Sequence, residues 1–183
     1  MIGVRALRIP DVQVFEPRIF ADERGYFLEA WNARTLSAAG FHENFVQDNL
    51  VHSRHGAIRG LHYQMARPQG KLIRCVAGEI FDVAVDLRKS SPTFGEWVAE
   101  FLSAENGFSS WIPPGFAHGY CVMSESATVY YKCTEFYDPG EERMLLWNDP
   151  AIGIEWPLDR MSARLVNARD AAAPTLSKAE TYA

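Results

Sequence analysis

Cysteine is scarce in this chain. Cys75, Cys121 and Cys133 are odd in number, show no Cys-x-x-Cys spacing and sit among apolar neighbours. That argues against a disulfide framework or a thiolate zinc site and leaves buried, reduced thiols. Positive charge is neither abundant nor clustered: 18 Lys and Arg face 23 Asp and Glu, a formal net charge of −5, with no run of five basic residues. A nucleic-acid stripe or an anionic membrane surface is therefore not expected as a partner, and any anion must be held by a local site. No stretch approaches the ~20 apolar residues of a membrane span. The first ten residues never build the apolar core of a secretory signal, which points to a cytoplasmic chain. Repeats and low-complexity tracts are also missing. With 48% hydrophobic residues over 183 positions, the expectation is one compact domain spanning residues 1–183.

What is present is a succession of short β-type segments. Val12 to Phe20, Tyr26 to Trp31, Phe45 to Val51, Lys71 to Val76, Glu79 to Leu87, Glu96 to Phe101, His118 to Met123 and Ala127 to Phe136 are punctuated by turn residues such as Asp22-Glu23-Arg24-Gly25, Ser91-Pro92-Thr93, Pro113-Pro114-Gly115 and Asp138-Pro139-Gly140. That spacing predicts an all-β sandwich or barrel. Phe81, Val83, Val85 and Leu87 alternate with Asp82, Ala84, Asp86 and Arg88, the period of a strand with one buried face. One internal helix is expected, from Asn32 as its cap to Ala39, stopped by Gly40. After Trp156-Pro157 the pattern becomes irregular, and from Ser177 the tail is polar enough to fray.

Chemistry concentrates between Ile58 and Lys71. His62 is a base that titrates near neutrality, and Arg59 and Lys71 flank it as fixed cations able to hold an anionic substrate or a developing oxyanion. Taken alone, a histidine between apolar neighbours is more often a satisfied core residue. A second constellation strengthens the functional reading: Gly107, then Pro113-x-Gly115-x-x-His118, has the spacing of the second sequence box of cupin barrels, and Gly60-x-His62 resembles the first. In metal-binding cupins the first box supplies His-x-His and a Glu. Here Gln64 stands two residues after His62, and Gln69-Gly70-Lys71 brings a cation towards the place of the carboxylate, so the barrel is expected to work without a metal.

The longer pattern narrows this further. Asp22-Glu23-Arg24-Gly25, Gln47-Asp48-Asn49, Arg59-Gly60-Leu61-His62-Tyr63-Gln64, Gly70-Lys71-Leu72, Asp82 to Arg88, Ser91-Pro92-Thr93, Pro113-x-Gly115-Phe116-Ala117-His118-Gly119, Tyr131-Lys132 and Ile154-x-Trp156-Pro157 together resemble the dTDP-4-dehydrorhamnose 3,5-epimerases. The resemblance runs over nearly the whole chain. It implies a cupin, or jelly-roll, β-barrel with short peripheral helices and a homodimer that exchanges an N-terminal arm of about residues 1–31. It also implies no cofactor and a dTDP-linked 4-keto-6-deoxyhexose as substrate, in the pathway to dTDP-L-rhamnose.

The resemblance further assigns roles. His62 would be the base, Asp170 the carboxylate orienting it, Lys71 the cation beside the C4 oxygen and Tyr131 the acid on the opposite face. Arg24, Phe27 and Glu29 would serve the neighbouring subunit's site, and Gln47, Asn49, Arg59, His118, Glu142 and Arg169 would complete the substrate contacts. Each residue type suits its role, since guanidiniums clamp diphosphates and aromatic rings pack a pyrimidine. Two positions depart from the family's habit: Arg169 stands where Lys usually precedes the Asp, and Asn167 where Ser is expected. A relative that inverts only C3 or only C5, a catalytically silent sugar-binding barrel and a metal-dependent dioxygenase are the competing readings.

Overall fold

The computed structural model describes residues 2–183. Its strands are β1 (Gly3–Ala6), β2 (Gln13–Glu16), β3 (Ile19–Asp22), β4 (Gly25–Leu28), β5 (Gln47–Arg54), β6 (Ala57–Gln64), β7 (Lys71–Ala77), β8 (Glu79–Asp86), β9 (Trp97–Ser103), β10 (Ser109–Ile112), β11 (Phe116–Val122), β12 (Ser126–Cys133), β13 (Glu142–Met144) and β14 (Leu165–Val166). Two short helices, α1 (Ala33–Ala38) and α2 (Ala168–Ala171), complete the regular structure with one 3-10 turn at Leu158–Arg160. The strands form one sheet in the order β1-β2-β10-β7-β12-β5 and a second in the order β13-β6-β11-β8-β9, with β14 beside β6 in parallel. The expected all-β jelly roll is thus the fold.

Ile73, Cys75, Ile80, Ala84, Ile112, Phe116, Val122 and Val129 pack between the two sheets as the barrel core. Outside the second sheet Phe81, Val83, Val85, Leu87, Cys121 and Leu145 meet Trp156, Ile152 and Met161 of the C-terminal segments. This corrects the one-sided reading of β8. Both faces are buried, and Asp82 and Asp86, expected on a solvated face, are 2% and 0% exposed. The segment wrapped over the outer face covers Phe81, Val83, Val85 and Leu87, while Asp82 shares the inward face with Ile80 and Ala84 of the barrel core, an arrangement that alternation alone cannot reveal.

The tail is likewise docked, not frayed. Tyr182 donates its hydroxyl to the Gln64 carbonyl and its N–H to the Leu87 carbonyl, and the Tyr63 hydroxyl donates to the Glu180 carbonyl. The helix agrees with expectation: the Asn32 side-chain oxygen accepts from the N–H groups of Arg34 and Thr35 at 3.0 and 3.1 Å, and Gly40 follows with a φ of +89°. Pro17 divides the expected Val12–Phe20 strand into β2 and β3. The hairpin β3–β4 stands clear of both sheets, leaving Phe20, Tyr26 and Phe27 50%, 57% and 67% exposed.

Candidate active site

Strand β6 brings the base. The His62 Nε2 atom lies 2.8 Å from Oδ1 of Asp170, which is 1% exposed although 108 residues away in sequence. Three devices hold that carboxylate. Its Oδ2 accepts the Gly60 N–H at 3.1 Å, and α2 is capped by Asn167, whose side chain accepts the Asp170 N–H at 2.8 Å. β14, just before α2, pairs with the start of β6 and brings the segment alongside. Asn167 therefore supplies the cap in the place where a serine was expected. Burial alone would raise the Asp170 carboxyl, but the hydrogen bond and charge of His62 and the Gly60 N–H outweigh it and hold it below the usual carboxylate range.

Gly60 is needed for this approach. It sits at φ +111°, and a Cβ there would come within 2.6 Å of the His118 carbonyl oxygen and 2.7 Å of the Gly119 Cα. The same glycine disguised β6 as a non-strand, because it interrupts the β-type run in its middle.

Lys71 opens β7, fixed by its neighbour Gly70, whose N–H donates to the Thr134 hydroxyl at 2.8 Å and which packs against Trp111. Trp111 belongs to an edge-to-face cluster with Phe41 and Phe45, which anchors this end of the sheet from outside. Desolvation pushes the Lys71 ammonium down, opposed by Cys133, Glu142 and Asp82. Tyr131, on β12 in the sheet facing His62, packs against the barrel core. Its phenol is pushed up to about 12, mainly by burial and then by Cys133 and Tyr120, so it carries its proton at neutral pH.

The remaining expected residues fall into two groups. Gln47 and Asn49 on β5 are linked at 3.1 Å, Arg59 donates to the Ser53 hydroxyl at 2.8 Å, and His118 is the register partner of His62. Glu142 on β13 pairs with Gln64 in register and accepts from Arg169 at 2.8 Å. All of these accompany the barrel site. Arg24, Phe27 and Glu29 do not: they belong to the exposed hairpin and its base. Arg24 is occupied by Asp22 at 2.6 Å, Glu29 accepts from Asn32, and Phe27 lines a hollow of about 280 Å³ with Arg74 and Val76.

Gln64 is turned away from any ligand role. Its amide donates to the carbonyls of Arg67 and Phe136 and accepts the Asp138 N–H, clasping two loops. Among the described residues no group of three His, Cys, Asp or Glu side chains is arranged to hold a metal ion. Sequence reasoning missed Asp82, bonded to His118 at 2.7 Å, and Tyr137, an exposed ring beside Glu142 whose N–H donates to Gln47. Asp82 had been assigned to the wrong face, and nothing in the local pattern marks Tyr137.

An imidazole held by a buried carboxylate, a protonated phenol and a desolvated ammonium make a set able to remove a proton α to a carbonyl, hold the enolate and return a proton. The family model described as dTDP-4-dehydrorhamnose 3,5-epimerase matches residues 6–178. The chain belongs to this family. It is thereby an isomerase, and the jelly roll, His62, Asp170, Lys71 and Tyr131 are to be read in that setting. The dTDP-4-dehydrorhamnose 3,5-epimerase of Salmonella typhimurium is 53% identical over 181 residues, covering 98% of each chain. That of Pseudomonas aeruginosa is 51% identical, covering 96% of this chain and 97% of that one. Among solved structures, dTDP-6-deoxy-D-glucose-3,5-epimerase from Legionella pneumophila, in complex with dTDP-4-keto-L-rhamnose, superposes with a TM-score of 0.93 at 44% identity, covering 97% and 94% of the two chains. A 3'-monoepimerase from Streptomyces bikiniensis, in complex with dTDP-quinovose, reaches 0.87 at 35% identity, covering 94% and 87%.

Proposed function

We propose that this chain epimerises both C3 and C5 of dTDP-4-dehydro-6-deoxy-D-glucose, giving dTDP-4-dehydro-L-rhamnose. His62 removes the proton α to the C4 ketone, with Asp170 holding the ring by Nε2 so that Nδ1 meets the substrate. Lys71 stabilises the enolate oxygen, and Tyr131 delivers a proton to the opposite face. The carrying observation is the 2.8 Å contact between His62 and a carboxylate 1% exposed, built from two segments of chain more than a hundred residues apart. No redox step and no electron sink beyond the ketone is required, so the reading needs no cofactor and no metal.

Gln47, Asn49, Arg59, His118, Glu142 and Arg169 are read as the substrate's contacts within the chain. Arg24, Phe27 and Glu29 are read as contacts that the arm offers to a second copy in a homodimer. The exposed aromatic hairpin supports that assignment, since Phe20, Tyr26 and Phe27 keep half or more of their surface open in their own chain. The pathway setting is a cytoplasmic one with neither nucleic acid nor membrane as partner. No helix among the described residues is long and apolar enough to cross a membrane.

The test is turnover of the dTDP-4-keto sugar in deuterated water, read by NMR at each carbon. Deuterium at both C3 and C5, with inverted product, supports the double epimerase. Label and inversion at one carbon alone would make the chain a monoepimerase like its 35% identical relative. No label at either carbon would leave a sugar-binding barrel.

A further inference from the structure

The root of the β3–β4 arm rests on a seat made by two residues far from it in sequence. Strand β7 sends Ile73 and Cys75 into the core between the sheets, so Arg74 between them points to the outer face, where it lines a hollow with Tyr26, Phe27 and Leu28. It is only 8% exposed there. Its Nη2 donates to the carbonyl of Ala30, just past β4, at 3.4 Å, and its Nη1 is sealed with no hydrogen-bond partner among the described residues. Gly107 makes the second point of the seat. A Cβ there would come within 2.9 Å of Leu28 Cδ2 and 3.5 Å of Ile19 Cδ1, two residues paired across the base of the hairpin, so only a bare backbone admits both strands. Beyond the seat β3 and β4 pair with each other and with neither large sheet.

A single chain gains little stability from an arginine at this place. Burial pushes the guanidinium down from its ordinary value, with Tyr26 opposing, and its one protein acceptor is a backbone carbonyl. An apolar side chain of similar length would fill the space without leaving a buried nitrogen unpaired. What the guanidinium adds is direction. Its bond to the Ala30 carbonyl ties the arm's root to β7, and Gly107 sets how closely that root approaches the barrel.

We propose that Arg74 is a positioning residue for the arm, holding its root at the angle from which Arg24 and Phe27 of one chain reach the site of a second copy. The inference rests on the arm exchange read above and deepens it by naming the residue that aims the arm. Arg74 therefore serves the neighbour's site and not its own.

Arg74→Met should keep the unfolding midpoint at or above that of the parent and kcat within a few-fold, while KM for the dTDP-4-keto sugar rises on the order of tenfold, because the arm's contacts with the nucleotide are lost equally from ground state and transition state. Mixed dimers then show which chain the residue serves. An Arg74→Met chain and a His62→Ala chain are co-expressed with different tags, and the dimer bearing both tags is purified. Its one site with an intact base lies on the Arg74→Met chain and receives its arm from the His62→Ala chain, whose Arg74 is present, so KM should return to the parent value. A KM that stays raised places the effect of Arg74 within its own chain and overturns the proposal, as does a parent KM in the Arg74→Met homodimer. Arg24→Ala paired with His62→Ala in the same way tests the exchange itself. If that pair recovers the parent KM and the Arg74 pair does not, the inference fails alone; if neither recovers, the exchanged arm fails and the inference with it. Arg74→Leu repeats the mixture should the Met variant fold poorly.

Discussion

Strands β8 and β11 carry two polar clusters with opposite character. At one end Asp86 accepts from Arg88 through N–H, Nε and Nη2 at 3.0, 2.9 and 2.8 Å, from Ser91 at 2.6 Å and from Thr93 at 2.7 Å. Arg88 continues to Asp11 at 3.0 Å and lies 4.6 Å over the Phe116 ring. Every acceptor is used. In the lumen the neighbouring residues are half satisfied: His62 and His118 each bond one carboxylate and leave the other nitrogen free, and Lys71 has no carboxylate within salt-bridge distance among the described residues. A closed network of charge has nothing left to offer a ligand and serves the fold, whereas a half-closed one keeps donors and acceptors waiting. The contrast separates structure from chemistry within one barrel.

The largest effect expected from breaking it is in the lumen. His62→Ala should lower epimerisation and solvent deuterium exchange on the order of 10²- to 10⁴-fold in protein checked to be folded. A variant that exchanged at the parent rate would remove His62 from the chemistry. Next comes the closed network. Asp86→Asn should cost about 2–3 kcal/mol in denaturant unfolding and leave kcat within a few-fold, the reverse signature.

The pH dependence sharpens the same point. Burial raises Asp86, but the bonds from Arg88, Ser91 and Thr93 outweigh it and hold it down to about 2. A folded value below the unfolded one means stabilisation that is complete above about pH 4 and lost as pH falls towards 2, roughly 2 kcal/mol in all. The gap in unfolding free energy between parent and Asp86→Asn should therefore close between pH 5 and pH 2. A gap that persists at pH 2 would assign the loss to packing. Smallest of all should be Arg169→Lys, which restores the family's usual residue. Its ion pair with Glu142 has an Arg side chain 69% exposed and screened by solvent, so the unfolding midpoint should not move measurably.

How legible these regions were differs for physical reasons. The strands and α1 could be read because turn residues and the Asn32 cap act locally. β6 could not, since Gly60 breaks its β pattern for the sake of a close approach to β11. The buried outer face of β8 and the docked Tyr182 depend on segments that return from the far end of the chain, and no local period carries that information. His62, Arg59 and Lys71 could be singled out from residue chemistry alone. Asp170 could be linked to His62 only by family resemblance, because the pairing spans 108 residues and a four-residue helix. Asp82 escaped altogether once it was placed on a solvated face.

The central claim is that the lumen holds a base and an acid on opposite faces of the sugar, His62 and Tyr131. Tyr131→Phe tests it most directly, since it keeps the ring and removes only the proton. Deuterium uptake at C5 is followed beside product formation trapped by a 4-keto-reductase. The account predicts that exchange outlives epimerisation: the enolate forms at His62, is quenched from the same side and returns labelled starting material. If exchange and epimerisation fall together to the level of His62→Ala, or if epimerisation continues unimpaired, Tyr131 is not the acid that completes the inversion.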